Sequence, residues 1–93
     1  MNKLNKAIQK LANKYNCNAG LMFNNITDKW GKEKEITVSF FNGQSYKFAI
    51  RVCKWEQDEE KITADLMGQS ETLISMDDIP EIQALTELIK EEL

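Results

Sequence analysis

Side chains able to do chemistry are few in this 93-residue sequence: Cys17 and Cys53, fifteen carboxylates, eleven lysines, one arginine at Arg51, and no histidine. Without histidine the commonest general base, proton shuttle and metal ligand is missing, and no Ser–His–Asp or Cys–His arrangement exists within the chain. Two cysteines fall short of a four-ligand structural zinc site and make no disulfide framework, so both read as buried, inert thiols in a reducing compartment. Gly20, Gly31, Gly43 and Gly68 fit neither spacing of a glycine-rich phosphate loop, and no calcium loop of the D-x-D-x-D-G type occurs. Adjacent acids at Glu59-Glu60, Asp77-Asp78 and Glu91-Glu92 are what remains for acid–base work or magnesium. Sequence neighbours usually point apart, so the first pair reads as a solvated run and the second as a helix cap. The expectation is no catalytic centre, no cofactor and no metal.

Binding chemistry is better represented than catalysis. Residues 1–55 carry ten Lys/Arg against three acids, a balance of +7, and residues 56–93 carry two lysines against twelve acids, a balance of −10. The plainest consequence is that lysines of an N-terminal helix lie near acids of a C-terminal one, each exposed pair contributing about 0–1 kcal/mol. A second reading takes Phe41, Lys47, Arg51 and Trp55 as a platform on the polar side of a central hairpin. Aromatics interleaved with cations stack on single-stranded nucleic acid or anchor a protein partner. Trp30 belongs with them, either as a further contact or folded over Phe41 and Trp55 to close a small second core under the 28–34 loop. A third reading uses Asp77, Asp78, Glu81, Glu87 and Glu91 as spaced carboxylates offered to a basic protein surface, in the place of nucleic-acid phosphates.

These residues must be held by definable elements. Leu4, Ala7, Ile8, Leu11, Ala12 and Tyr15 recur at helical spacing, with Lys3, Lys6, Lys10 and Lys14 opposite, and Asn16 to Asn18 should end the helix. Further on the period falls to two. Ile36, Val38 and Phe40 alternate with Thr37, Ser39 and Phe41, and Tyr46, Phe48, Ile50 and Val52 alternate with Lys47, Ala49, Arg51 and Cys53. Asn42-Gly43 between them predicts a two-residue type I′ turn. A strand from Leu21 to Ile26 should precede them, joined by a 28–34 loop, and Glu56 to Glu60 reads as a solvated connector. Ile62, Ala64 and Leu66 predict a fourth strand, although 59–67 also suits a short helix. A turn at Gly68 to Ser70 and a fifth strand over 72–76 follow, then a helix capped by Asp77 or Asp78, with Pro80 in its first turn and Ile79, Ile82, Leu85, Leu88, Ile89 and Leu93 as its apolar stripe.

One apolar sheet face and two apolar helix stripes are buried together if both helices lie on that face. The sequence thus predicts a single α+β domain over 1–93, a two-layer sandwich with an antiparallel sheet of four or five strands, in the order α-β-β-β-β-β-α. No stretch approaches the roughly 20 apolar residues that span a bilayer, which points to a cytoplasmic protein with no membrane partner. Lysine-rich, arginine-poor usage fits an AT-rich genome such as that of a low-GC bacterium or its phage. The function expected is a small non-enzymatic binding protein that occupies a protein partner's surface, in the manner of a phage or mobile-element inhibitor of a host nuclease or defence system, or of a toxin-immunity factor. The alternative is a nucleic-acid-binding module. A homodimer through an uncovered edge at 20–26 is the further partner to consider.

Overall fold

The structure, a computed structural model, describes residues 2–29, 31–55, 58–68 and 76–93. Helix α1 (Asn2–Lys14) leads into four strands, β1 (Asn18–Asp28), β2 (Gly31–Asn42), β3 (Ser45–Trp55) and β4 (Asp58–Gly68), and the chain closes with a 3₁₀ turn (Met76–Asp78) and helix α2 (Ile79–Glu91). The strands form one antiparallel sheet in the order β1-β2-β3-β4, so each pairs with its neighbour in sequence. Segment 59–67 is therefore strand and not helix. Of the expected fifth strand, 72–75 lie outside the described residues, as does the turn at Gln69 and Ser70, while Met76 belongs to the 3₁₀ turn.

Both helices lie on one face, as the apolar stripes require. Leu4, Ile8, Leu11 and Ala12 of α1 and Ile82, Leu85 and Ile89 of α2 share one buried cluster with Ile36, Val38, Phe40, Phe48, Ile50 and Val52 of the central strands. Asn16 ends α1 in the left-handed conformation at φ 52°. Its N–H donates to the Asn13 carbonyl at 3.1 Å and that of Cys17 to the Ala12 carbonyl at 3.0 Å, the paired closure of a Schellman motif.

The β2–β3 hairpin departs from the expected turn by one residue. Its loop is Gly43-Gln44, between the paired residues Asn42 and Ser45, and the positive φ falls on Gly43 at 61°, the sign pattern of a type II′ turn. A two-residue loop pairs even-numbered with odd-numbered residues, yet the core residues of both strands are even-numbered. The pleat can be satisfied only by one extra residue, and the register shifts between Phe40 and Phe41, leaving Lys47 as the bulge between Phe48 and Tyr46. Two connections are also shorter than expected. Pairing of Asp28 with Gly31 makes residues 31–34 strand and not loop, and β4 begins at Asp58, inside the expected connector.

Asp78 takes the N-cap position of α2 but does not cap it; its backbone is helical (φ −92°, ψ −8°) and its side chain makes no cap bond. The carboxylate is engaged elsewhere, accepting from Tyr15 Oη at 2.8 Å and from Lys14 Nζ at 3.1 Å. Lys14 also pairs with Glu81, so the basic N-terminal half and the acidic C-terminal half meet here. Tyr15 and then Lys14 hold Asp78 below its ordinary value, and Glu81 followed by Asp78 raises Lys14. Phe48 is fully buried, stacked on Phe40 and touched edge-on by Tyr15. Phe48→Ala should cost about 3–5 kcal/mol of a stability of about 5–10 kcal/mol, read as a lowered urea midpoint.

Candidate binding face

No described element covers the other side of the sheet. The registers lay its side chains out in rows running from β1 to β4: Gly20, Ser39, Ala49, Met67; then Met22, Thr37, Arg51, Asp65; then Asn24, Glu35, Cys53, Thr63; and, at the far end, Ile26, Glu33 and Trp55. Arg51 stands diagonally across from Glu35, within reach of a long side chain. Its Nη2 donates to Glu35 Oε2 at 2.8 Å and lies 3.9 Å from Glu33 Oε1. The other oxygen of Glu35 accepts from Thr37 Oγ1 at 3.2 Å and Asn24 Nδ2 at 3.4 Å. Glu35 thus ties β1, β2 and β3 together from the uncovered side.

The electrostatics follow from that geometry. The Arg51 guanidinium, helped by Asn24 and Thr37, holds the Glu35 carboxyl below its usual range against the opposing effect of burial, and Glu35 raises Arg51 in return. Burial pushes the Cys53 thiol up to about 12, with the Glu33 carboxylate adding to the rise. Glu33, Glu35 and Cys53 bring three potential ligand atoms within 4.8 Å of one another. Arg51 already stands against both carboxylates, 2.8 Å from Glu35 and 3.9 Å from Glu33, so a cation entering there would meet a guanidinium in place. Glu35, held below its usual range, lacks the raised pKa of a general acid. The cluster is a structural network in which Arg51 offsets one of the two carboxylate charges.

Large apolar side chains border this centre. Met22 is 58% exposed on β1 and Met67 38% on β4, on opposite margins of the sheet, with Ile26 further along β1. Phe41 lies at the hairpin end, its ring 3.5 Å from where a Cβ of Gly20 would stand, and is half-buried, as is Trp55 at the opposite end. Between them, Ala49 and Cys53 are buried although they face away from the helices.

Of the expected platform, Phe41, Arg51 and Trp55 share this side, and Lys47 is the bulge residue. They do not form one patch. Phe41 and Trp55 are separated by the eight residue steps of β2 from Phe41 to Glu33, the partner of Trp55, roughly 27 Å of strand. One small core under a 28–34 loop therefore cannot hold both, and Trp30 lies outside the described residues. Among the acids expected to face a partner, Asp78 and Glu81 are held by Lys14, and Glu87 pairs with Lys90 at 3.2 Å. Asp77 and Glu91 are exposed.

Sequence reasoning missed Glu33, Glu35, Asn24 and the two methionines. The signal for Glu35 was present, since it is in phase with Thr37 and Ser39, but only if the strand is carried back past Ile36. No protein-family model, curated protein or solved structure matches the chain. What the fold defines by itself is a two-layer α+β sandwich with one sheet face that no described element covers.

Glu35 has a lower pKa in the folded chain than when unfolded, so its contribution is complete above the ordinary glutamate value and is lost as pH falls through the depressed one. Glu35→Gln should therefore lower stability at neutral pH by about 1 kcal/mol, and the gap to the parent should close in acid below the carboxylate range, measured by urea titration at both.

Proposed function

We propose that this chain is a small binding protein that acts by occupying a protein partner's surface with the bare side of its sheet, without transforming a substrate. The observation that carries this reading is the arrangement of that side: exposed Met22, Ile26 and Met67 flank a centre in which Arg51 is held by Glu35 and Glu33. An apolar margin recovers hydrophobic free energy on docking, and the net negative charge that Glu33, Glu35 and Asp65 leave against Arg51 calls for a cation on the partner. A cytosolic setting accords with two free thiols, one of them buried, and among the described residues no helix is long and apolar enough to cross a membrane.

Nucleic acid is the less favoured guest. Arg51 is spent on Glu35 and Glu33, and Phe41 and Trp55 are too far apart to stack adjacent bases. The acidic C-terminal segment is less favoured as well, because Asp78 and Glu81 are already engaged by Lys14.

The test is capture from lysate with the immobilised protein, its Met22→Lys and Met67→Lys variants, and Gln83→Lys on exposed α2 as a control. A partner retained in stoichiometric amount by the parent and the control, and reduced about tenfold or more by either methionine change, is the expected result. Equal retention by all four overturns the reading. Salt-sensitive binding to single-stranded oligonucleotides that is lost in Trp55→Ala would put nucleic acid in its place.

A further inference from the structure

The two margins of the sheet are managed differently. β4 carries Asp58, Glu59, Glu60, Lys61 and Asp65, the usual protection of an edge against adding another strand. β1 has no such protection. From Asn18 to Thr27 it contains no charged residue and no proline, and it exposes apolar side chains on both sides: Met22 and Ile26 on the bare face and Phe23, 54% exposed, on the helix side. Phe23 is not packed under α2; it borders an open depression of about 240 Å³ shared with Lys34, Ile36 and Leu93.

We propose that β1 pairs with β1 of a second copy of this chain, antiparallel and about a two-fold axis, joining two four-stranded sheets into one. The strand runs from Asn18 to Asp28, so its midpoint is Phe23. Full overlap places Phe23 opposite its own copy, Met22 opposite Asn24, Leu21 opposite Asn25 and Gly20 opposite Ile26. Large residues meet small or polar ones everywhere except at the central aromatic pair, the kind of cross-strand contact that stabilises sheets. Charge favours β1 over β4. Set against its own reverse, β1 brings no charge to the seam between Asn18 and Thr27, and its terminal Asp28 meets Asn18. The same operation on β4 would match only Lys61 with Asp65 and leave Asp58, Glu59 and Glu60 opposite Gly68, Met67 and Leu66 with no partner of opposite sign. The axis stands perpendicular to the sheet, so both bare faces come to the same side. The pairing uses the edge and not the face, and it stands or falls independently of the function proposed above.

Light scattering coupled to size exclusion, from micromolar to millimolar protein, tests it with four chains: the parent, Phe23→Lys, Phe23→Glu, and Leu66→Lys on β4. The parent and Leu66→Lys should show twice the monomer mass at high concentration. Each Phe23 variant alone should be monomeric, with its dimer dissociation constant raised about tenfold or more by like charges placed face to face. An equimolar mixture of Phe23→Lys and Phe23→Glu should recover the dimer, which also shows that both variants fold. Should either lose the far-ultraviolet spectrum of the parent, Phe23→Arg or Phe23→Asp takes its place with the same expectation. A parent that is monomeric throughout, a dimer that survives in Phe23→Lys, or one lost in Leu66→Lys overturns the proposal.

Discussion

Phe40 and Phe48 face each other across the central strand pair with ring centroids 4.5 Å apart, and Tyr15 meets Phe48 edge-on at 5.3 Å from the end of the first helix. This contact fixes the phase of everything around it. For both rings to point at the helices, the β2–β3 pairing must keep even-numbered residues opposite one another, and the hairpin loop by itself does not. The bulge at Lys47 is the local concession that lets a tight turn and a continuous core coexist. Register then determines which polar residues meet on the other side, including the diagonal between Arg51 and Glu35.

The same contact anchors the helices. Tyr15 buries its ring on Phe48 and spends its hydroxyl on Asp78, so one side chain links sheet, first helix and the start of the second. Asp78 forgoes capping α2 in exchange. The opposite charges of the chain's two halves thus have a structural use, since Lys14 gathers Asp78 and Glu81 just where the helices meet.

Sequence periodicity was enough for the architecture because burial imposes it directly. The α1 stripe, its end at Asn16, the alternation from Ile36 to Phe40 and from Phe48 to Val52, and Ile82, Leu85 and Ile89 of the α2 stripe appear where the pattern puts them, with Ile50 and Leu85 in one cluster. Ile79 of that stripe is exposed, however, and the bulge takes Tyr46 out of phase with Phe48. Charged residues hid the strand ends. Lys32, Glu33 and Lys34 look like loop, and Asp58 to Glu60 like connector, because a sheet margin or uncovered face tolerates charge that a core would reject. The site was less legible for the same reason. Glu35 acquires its partners Asn24, Thr37 and Arg51 from three strands, and that combination exists only once the register, bulge included, is known.

The order of the strands in space, identical to their order along the chain, bears on how the molecule assembles. Each strand pairing closes only a short loop, at small entropic cost, so the meander can zip up from its hairpins. The union of α1 with α2 is different, since it joins elements on either side of the four strands and must wait until all of them are in place. Until then the apolar side of the sheet has only half its roof. During synthesis that side stays open under the residues that α2 will cover, and the emergence of α2 is the step that seals it.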